Sequence, residues 1–167
     1  GNAGIAVDAL ARFAVPFFFL VSGYYSYQVS CEKIKKRIKN IFFLLIFSAV
    51  CCTVFEFVIQ AKYNPDGLLL FFHKYTDIST YVNLLVFNVP VSSGHLWYLL
   101  AILYVYVVFY FVTKFHIKEK VIFIISFFLL ALHVLLGEGL SVLGIALPIH
   151  FVRNFALMGI PFFAMGL

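Results

Sequence analysis

Residues 41–59 read IFFLLIFSAVCCTVFEFVI, a run in which Glu56 is the only charge. At about 1.5 Å per residue, a helix of that length approaches the ~30 Å thickness of a bilayer's hydrocarbon core. Three comparable stretches flank it: Ala9–Val29 before it, then Leu96–Thr113 and Val121–Leu136 after it, and the residues following Arg153 begin a fifth. In lipid, backbone N–H and C=O groups must be paired within the segment, so each stretch is expected to be helical. The whole composition agrees. Of 167 residues, 64% are hydrophobic and 11% charged, against roughly a quarter charged in a soluble domain. Too little polar surface remains to cover a core facing water. The expected fold is all-α, a polytopic transmembrane helical bundle with four full spans and part of a fifth.

The ends read as internal. The chain opens without an initiator Met, and Phe155–Leu167 stops short of the ~20 residues a crossing needs. Residues 1–167 are therefore expected to form a partial membrane domain, truncated at both ends. No basic n-region precedes a short apolar stretch, as a cleavable signal peptide requires.

The net charge of +5 reads as positive-inside bias rather than as a nucleic-acid surface. Lys33, Lys35, Lys36, Arg37 and Lys39 follow the first span, and Lys114, Lys118 and Lys120 follow the third. The much longer stretch Gln60–His95 carries only Lys62 and Lys74. That alternation places the two short basic links in the cytoplasm and the long link outside. Within the long link, Asn64-Pro65-Asp66-Gly67 signals a turn. Leu68–Phe72 and Tyr81–Val91 are too short to cross and are expected as short helices on the outer face or over a cavity. Cys31, Cys51 and Cys52 have no metal-ligand spacing, and no metal is expected.

A few polar residues inside apolar segments are candidates for chemistry. Arg12 follows Asp8 at helical pairing distance, and Pro16 deprives the Arg12 carbonyl of its usual donor. An intramembrane arginine points to an interior site, and one near the boundary snorkels to headgroups. Glu56 calls for a cationic partner, with Arg12 and Arg153 as candidates. His133, in the middle of the fourth span, calls for a buried partner. Ser22-Gly23 reads as a small-residue helix contact rather than a nucleophile. Trp97 and Tyr98 fit an interface belt, and His95 is either a proton-transfer group or a solvated one. Pro16-Phe17-Phe18 before Gly23 is echoed by Pro161-Phe162-Phe163 before Gly166, either a repeat or a coincidence of aromatic-rich helices. Along the basic link, Ile34, Ile38 and Ile41 alternate with charge, suited to anionic lipid heads or to a phosphorylated cytosolic cofactor.

Four strings, in order, carry a resemblance: RFAVPFFFLVSGY from Arg12, KIKKRIKNIFFLL from Lys33, GHLWYLLAILYVYVV from Gly94 and RNFALMGIPFFAMG from Arg153. Together they resemble the acyltransferase 3 family of integral membrane O-acyltransferases. They also look like the membrane domain of vancomycin-resistance serine racemases, which shares this domain. The likeness covers essentially the whole chain, about half of a family domain. It implies a multi-pass protein of the inner (cytoplasmic) membrane. Such a protein moves an acetyl or similar group from cytosolic acyl-CoA to a hydroxyl of a cell-surface glycan, lipid or peptidoglycan precursor. Arg12, Trp97 and Arg153 match family pattern positions, and Lys33, Lys36 and Arg37 become candidates for gripping the cofactor. The family's catalytic histidine belongs to a span before the SGY span, which would precede Gly1, and His95 does not replace it. Two other functions stay open at this point. One is a transporter with Arg12, Glu56 and Arg153 along its path. The other is a non-catalytic membrane domain fused to a soluble enzyme.

Overall fold

The computed structural model describes residues 2–63, 67–91, 96–145, 147–148, 152 and 154–167, with the backbone alone for 2–12, 138 and 141. In chain order its helices are α1 (Asn2–Tyr24), α2 (Cys31–Tyr63), α3 (Gly67–Thr76), α4 (Ile78–Phe87), α5 (Trp97–Lys114) and α6 (Glu119–Val134). A π turn, Leu135–Gly139, prolongs α6 into the short α7 (Leu140–Val142). A second π turn, Phe155–Gly159, leads into α8 (Ile160–Met165). No strand occurs among the described residues.

Cys31–Tyr63, Trp97–Lys114 and Glu119–Gly137 are long and apolar enough to cross a membrane. Their burial runs opposite to what water would select. The most apolar, α2, has none of its apolar window buried, whereas α5, the least apolar, has a third of its window buried. Phe43, Phe47, Phe55, Phe127 and Phe128 all face outward. Such an arrangement is stable only where the surrounding solvent is itself apolar.

Several boundaries differ from the sequence expectation. The first span ends at Tyr24 rather than Val29, and a turn through 25–28 follows. The basic stretch expected as a link is instead the opening of α2, which runs unbroken from Cys31. Lysine and arginine are good helix formers. Ile34, fully buried, and Ile38 and Ile41, packed on the core, keep one face of those charged turns against the bundle. At ~50 Å, α2 exceeds the hydrocarbon core by several turns. The expected short helices of the long link are present as α3 and α4. Asp77 separates them, accepting hydrogen bonds from the Ser79 N–H at 3.0 Å and the Ser79 hydroxyl at 2.6 Å as the N-cap of α4.

The core forms around α5, whose Ala101, Ile102, Val105 and Tyr106 pack with Phe19, Ile34 and Phe163. α5 packs against α2 and the Phe155–Gly159 turn, and α8 packs against both α1 and α6. Two glycines permit the closest approach. A Cβ on Gly23 would lie 1.9 Å from the Phe163 carbonyl oxygen, and one on Gly166 would lie 2.0 Å from that of Leu20. Each glycine thus rests on the carbonyl three residues before the other. The echoing PFF-to-glycine segments are the two faces of one helix contact, and Gly23 fills the small-residue role assigned to it.

Candidate functional site

One end of the bundle gathers the C-termini of α1, α5 and α8 and the N-termini of α2 and α6. This is the basic end. Arg37, one and a half turns into α2, donates from Nη1 to Ser26 Oγ at 2.7 Å and from Nη2 to the Tyr25 carbonyl at 2.9 Å. Ser26 is fully buried, and its hydroxyl lies 2.6 Å from the Ser22 carbonyl and 3.4 Å from the Tyr106 hydroxyl. The guanidinium also lies 6.0 Å from the Tyr106 ring centroid, within cation–π range. A planar fork engages a hydroxyl and a carbonyl together, which an ammonium does less well. Arg37 therefore ties the α1–α2 turn to α5. Lys35 Nζ sits 5.5 Å from the Tyr110 ring centroid, and Lys33 and Lys36 are exposed.

Beside this network lies a vestibule of about 340 Å³, with polar positions Gln28, Thr113, His116, Lys118 and the acidic Glu119 at its wall. Local backbone chemistry shapes it. α5 ends in a Schellman turn, in which the His116 N–H bonds the Thr113 carbonyl at 3.2 Å and the Ile117 N–H bonds the Val112 carbonyl at 3.1 Å. His116 occupies the left-handed position at φ 52°, and Gln28 in the facing turn has φ 53°, a conformation uncommon outside glycine. Phe109, Val112, Ile117, Ile122 and Leu167 line both the vestibule and a deeper apolar chamber of about 130 Å³ between α5, α6 and α8. The two cavities therefore lie side by side, with these residues common to both walls.

The opposite end carries a second polar cluster. Lys74 Nζ donates to Glu56 Oε1 at 2.6 Å, and the Tyr75 hydroxyl donates to Oε2 at 3.2 Å while lying 3.1 Å from Thr53 Oγ1. Burial is the main cause pushing the Tyr75 hydroxyl above its ordinary pKa, with the Thr53 bond opposing and the Glu56 charge adding. Among the described residues the charged partner of Glu56 is Lys74; the Arg12 side chain and Arg153, the partners expected from the sequence, lie outside the described residues. α3 folds back along α2 and delivers the ammonium there, a tertiary event that linear spacing does not reveal.

The other expected residues fall as follows. Trp97 opens α5 and packs against the core, and its carbonyl accepts from Asn88 Nδ2 at 2.8 Å. His133 finds its partner in the Val152 carbonyl, 3.1 Å from Nδ1. The side chains of Arg12 and Asp8, and residues His95 and Arg153, lie outside the described residues, as does the expected turn at 64–66. α1 continues helically through Pro16. The sequence reading missed Ser26, Tyr106 and Tyr110 as members of the basic-end network, and His116 and Lys118 as vestibule residues. The spacing of Ser22 and Ser26, one helical turn, was the available signal for the first.

A helical bundle that shows its most apolar surface to its surroundings and gathers most of its described cations at one end is an integral membrane protein. The acyltransferase 3 family model, described as an acyltransferase domain, matches residues 2–167. The chain belongs to that family and so, in general terms, to the membrane acyltransferases. Comparisons with curated proteins and with solved structures give no match.

Proposed function

We propose that the protein transfers an acyl group from acyl-CoA, bound at the cytosolic face, to a hydroxyl of a cell-surface glycan, lipid or peptidoglycan precursor. It does so as a multi-pass protein of the cytoplasmic membrane. The family match over 2–167 carries this reading. The geometry supports it through the cleft at the basic end, which the positive-inside rule directs to the cytosol.

In the reaction, the acceptor oxygen attacks the thioester carbonyl carbon. The new C–O bond forms as the C–S bond breaks, a base takes the hydroxyl proton, and coenzyme A leaves as its thiolate. Arg12, Trp97 and Arg153, which the resemblance to the family singles out, are the candidates for holding the reacting groups. Lys33 and Lys36, exposed and three residues apart on one helix face, are free to meet cofactor phosphates. Arg37 contributes differently from its two lysine neighbours, because its guanidinium already binds Ser26 and Tyr25. It shapes the turn beside the cofactor.

The test is acyl-CoA affinity of the complete chain in neutral detergent, where anionic lipid cannot compete. The Lys33→Ala/Lys36→Ala variant should bind roughly tenfold more weakly, the loss of two partly exposed contacts, and affinity should fall with added salt. Absence of coenzyme A binding by the unmutated protein refutes the reading. Binding that ignores both salt and the double variant removes the lysines from it.

A further inference from the structure

A groove of about 560 Å³ runs between α2 and α5. Lys35 meets the Tyr110 ring and Arg37 the Tyr106 ring, so α2 climbs from the basic end as α5 descends to it. The groove accordingly starts at Lys35 and Lys39 and continues over Ile38, Phe42, Leu103 and Val107. Phe42 and Phe111, both exposed, stand on its rim, so it opens sideways to the surroundings of the bundle. In a membrane those surroundings are lipid. From Lys35 to Phe42 is about 10 Å along the helix, within the ~15 Å that one leaflet contributes to the hydrocarbon core.

We infer that this groove seats an anionic phospholipid of the cytosolic leaflet, with its phosphate at Lys35 and Lys39 and one acyl chain along the apolar floor. The two lysines are one helical turn apart on one face, and both are exposed. Among the described residues neither has a carboxylate partner, and no carboxylate lines the groove. Helical side chains lean toward the helix N-terminus, here the basic end, so both ammonium groups snorkel toward the headgroups while their stems flank the floor. The positive-inside rule directs that end to the cytosol, where anionic lipids give the leaflet its negative surface potential. A soluble anion would meet the charge and leave the apolar floor bare. A neutral lipid would cover the floor and leave two cations unpaired. The face also differs from the one assigned to the cofactor: at about 100° per residue, Lys35 and Lys39 lie about 110° round α2 from Lys33 and Lys36. The lipid site is therefore separate from the acyl-CoA reading and stands without it.

The experiment delipidates the complete chain in neutral detergent and measures, by native mass spectrometry, its affinity for phosphatidylglycerol and for phosphatidylcholine with the same acyl chains. The unmutated protein should prefer phosphatidylglycerol. Lys35→Gln/Lys39→Gln should weaken that lipid roughly thirtyfold, equivalent to about 2 kcal/mol at about 1 kcal/mol per lysine, and leave phosphatidylcholine nearly unchanged. Lys35→Arg/Lys39→Arg keeps both charges and should keep the preference. Val107→Trp, at a half-buried position on the floor, should weaken both lipids alike. Circular dichroism should show wild-type helix content in every variant, and coenzyme A affinity should stay at the wild-type value. Equal affinity for the two lipids, or a preference that survives the glutamine pair, overturns the inference. Lipid affinity untouched by Val107→Trp moves the chain out of the groove and overturns it as well. An unmutated protein that retains neither lipid has its groove closed by another part of the chain, with the same consequence. Coenzyme A binding lost with the glutamine pair assigns these lysines to the cofactor instead and also overturns the inference.

Discussion

Replacing Gly23 with alanine tests the closest contact in the bundle. The added Cβ would stand 1.9 Å from the Phe163 carbonyl oxygen, whereas real Cβ contacts essentially never fall under 3.0 Å. Both partners are helical backbone, so no side chain can rotate away. α1 and α8 must part by at least about 1.1 Å, the difference between those two distances. A radial gap of that size forfeits about half of the dispersion energy across the contact. The expected cost is about 3 kcal/mol, the upper part of the range for overpacked cores. Gly166→Ala should cost a similar amount, since its Cβ would meet the Leu20 carbonyl at 2.0 Å. Because one separation of the helices makes room for both methyls, the double variant should cost far less than the sum, with a coupling of roughly 2 kcal/mol. Equilibrium unfolding by dodecyl sulfate in mixed micelles, followed by circular dichroism, measures all three variants. Unchanged stability in Gly23→Ala, or strict additivity in the pair, would refute the reciprocal contact.

Three other outcomes follow from particular side chains. The Glu56–Lys74 pair is short at 2.6 Å but partly exposed, 23% and 37%, so a double-mutant cycle of Glu56→Gln and Lys74→Met should give a coupling below about 1 kcal/mol that shrinks in salt; a larger, salt-insensitive value would contradict it. Hydrogen bonds from the Ser79 hydroxyl and N–H hold the Asp77 carboxyl below its ordinary pKa, so its capping contribution is fully present above about pH 4 and fades as pH falls through the lower folded value. Amide exchange of Ser79, compared between wild type and Asp77→Asn across that range, should show this loss in wild type alone, and a pH-independent difference would sink the claim. Cys31, a partly exposed free thiol at the start of α2, should resist a membrane-impermeant thiol reagent in intact cells and react after permeabilisation. Labelling from outside would invert the orientation.

Much of the fold is legible in the sequence because the constraint behind it is local. A run such as 41–59 has no other way to satisfy its backbone in lipid, so helix, span and approximate limits follow from composition. The start of α2 escapes that logic. Lysine-rich turns are helical here because Ile34, Ile38 and Ile41 find α5, and that neighbour is invisible in the local pattern. Lys33 and Lys36 could be named as cofactor candidates from charge and family resemblance, yet charge alone could not separate them from Arg37. Only the placement of Ser26 and Tyr25 within reach of the guanidinium makes that distinction.

Residue types and their order are enough to establish that the protein lives in a membrane, that its long apolar segments are helices, and which family it belongs to. Each of these rests on residue type and order along the chain, which folding does not change. Which residues meet is set by the packing of the helices. It paired Glu56 with Lys74, gave His133 the Val152 carbonyl, and set Gly23 and Gly166 against each other's helix. It also set the vestibule at His116 and Lys118 beside the apolar chamber. These are contacts between segments far apart in the chain, fixed by how whole helix faces pack, and linear spacing carries no record of that packing.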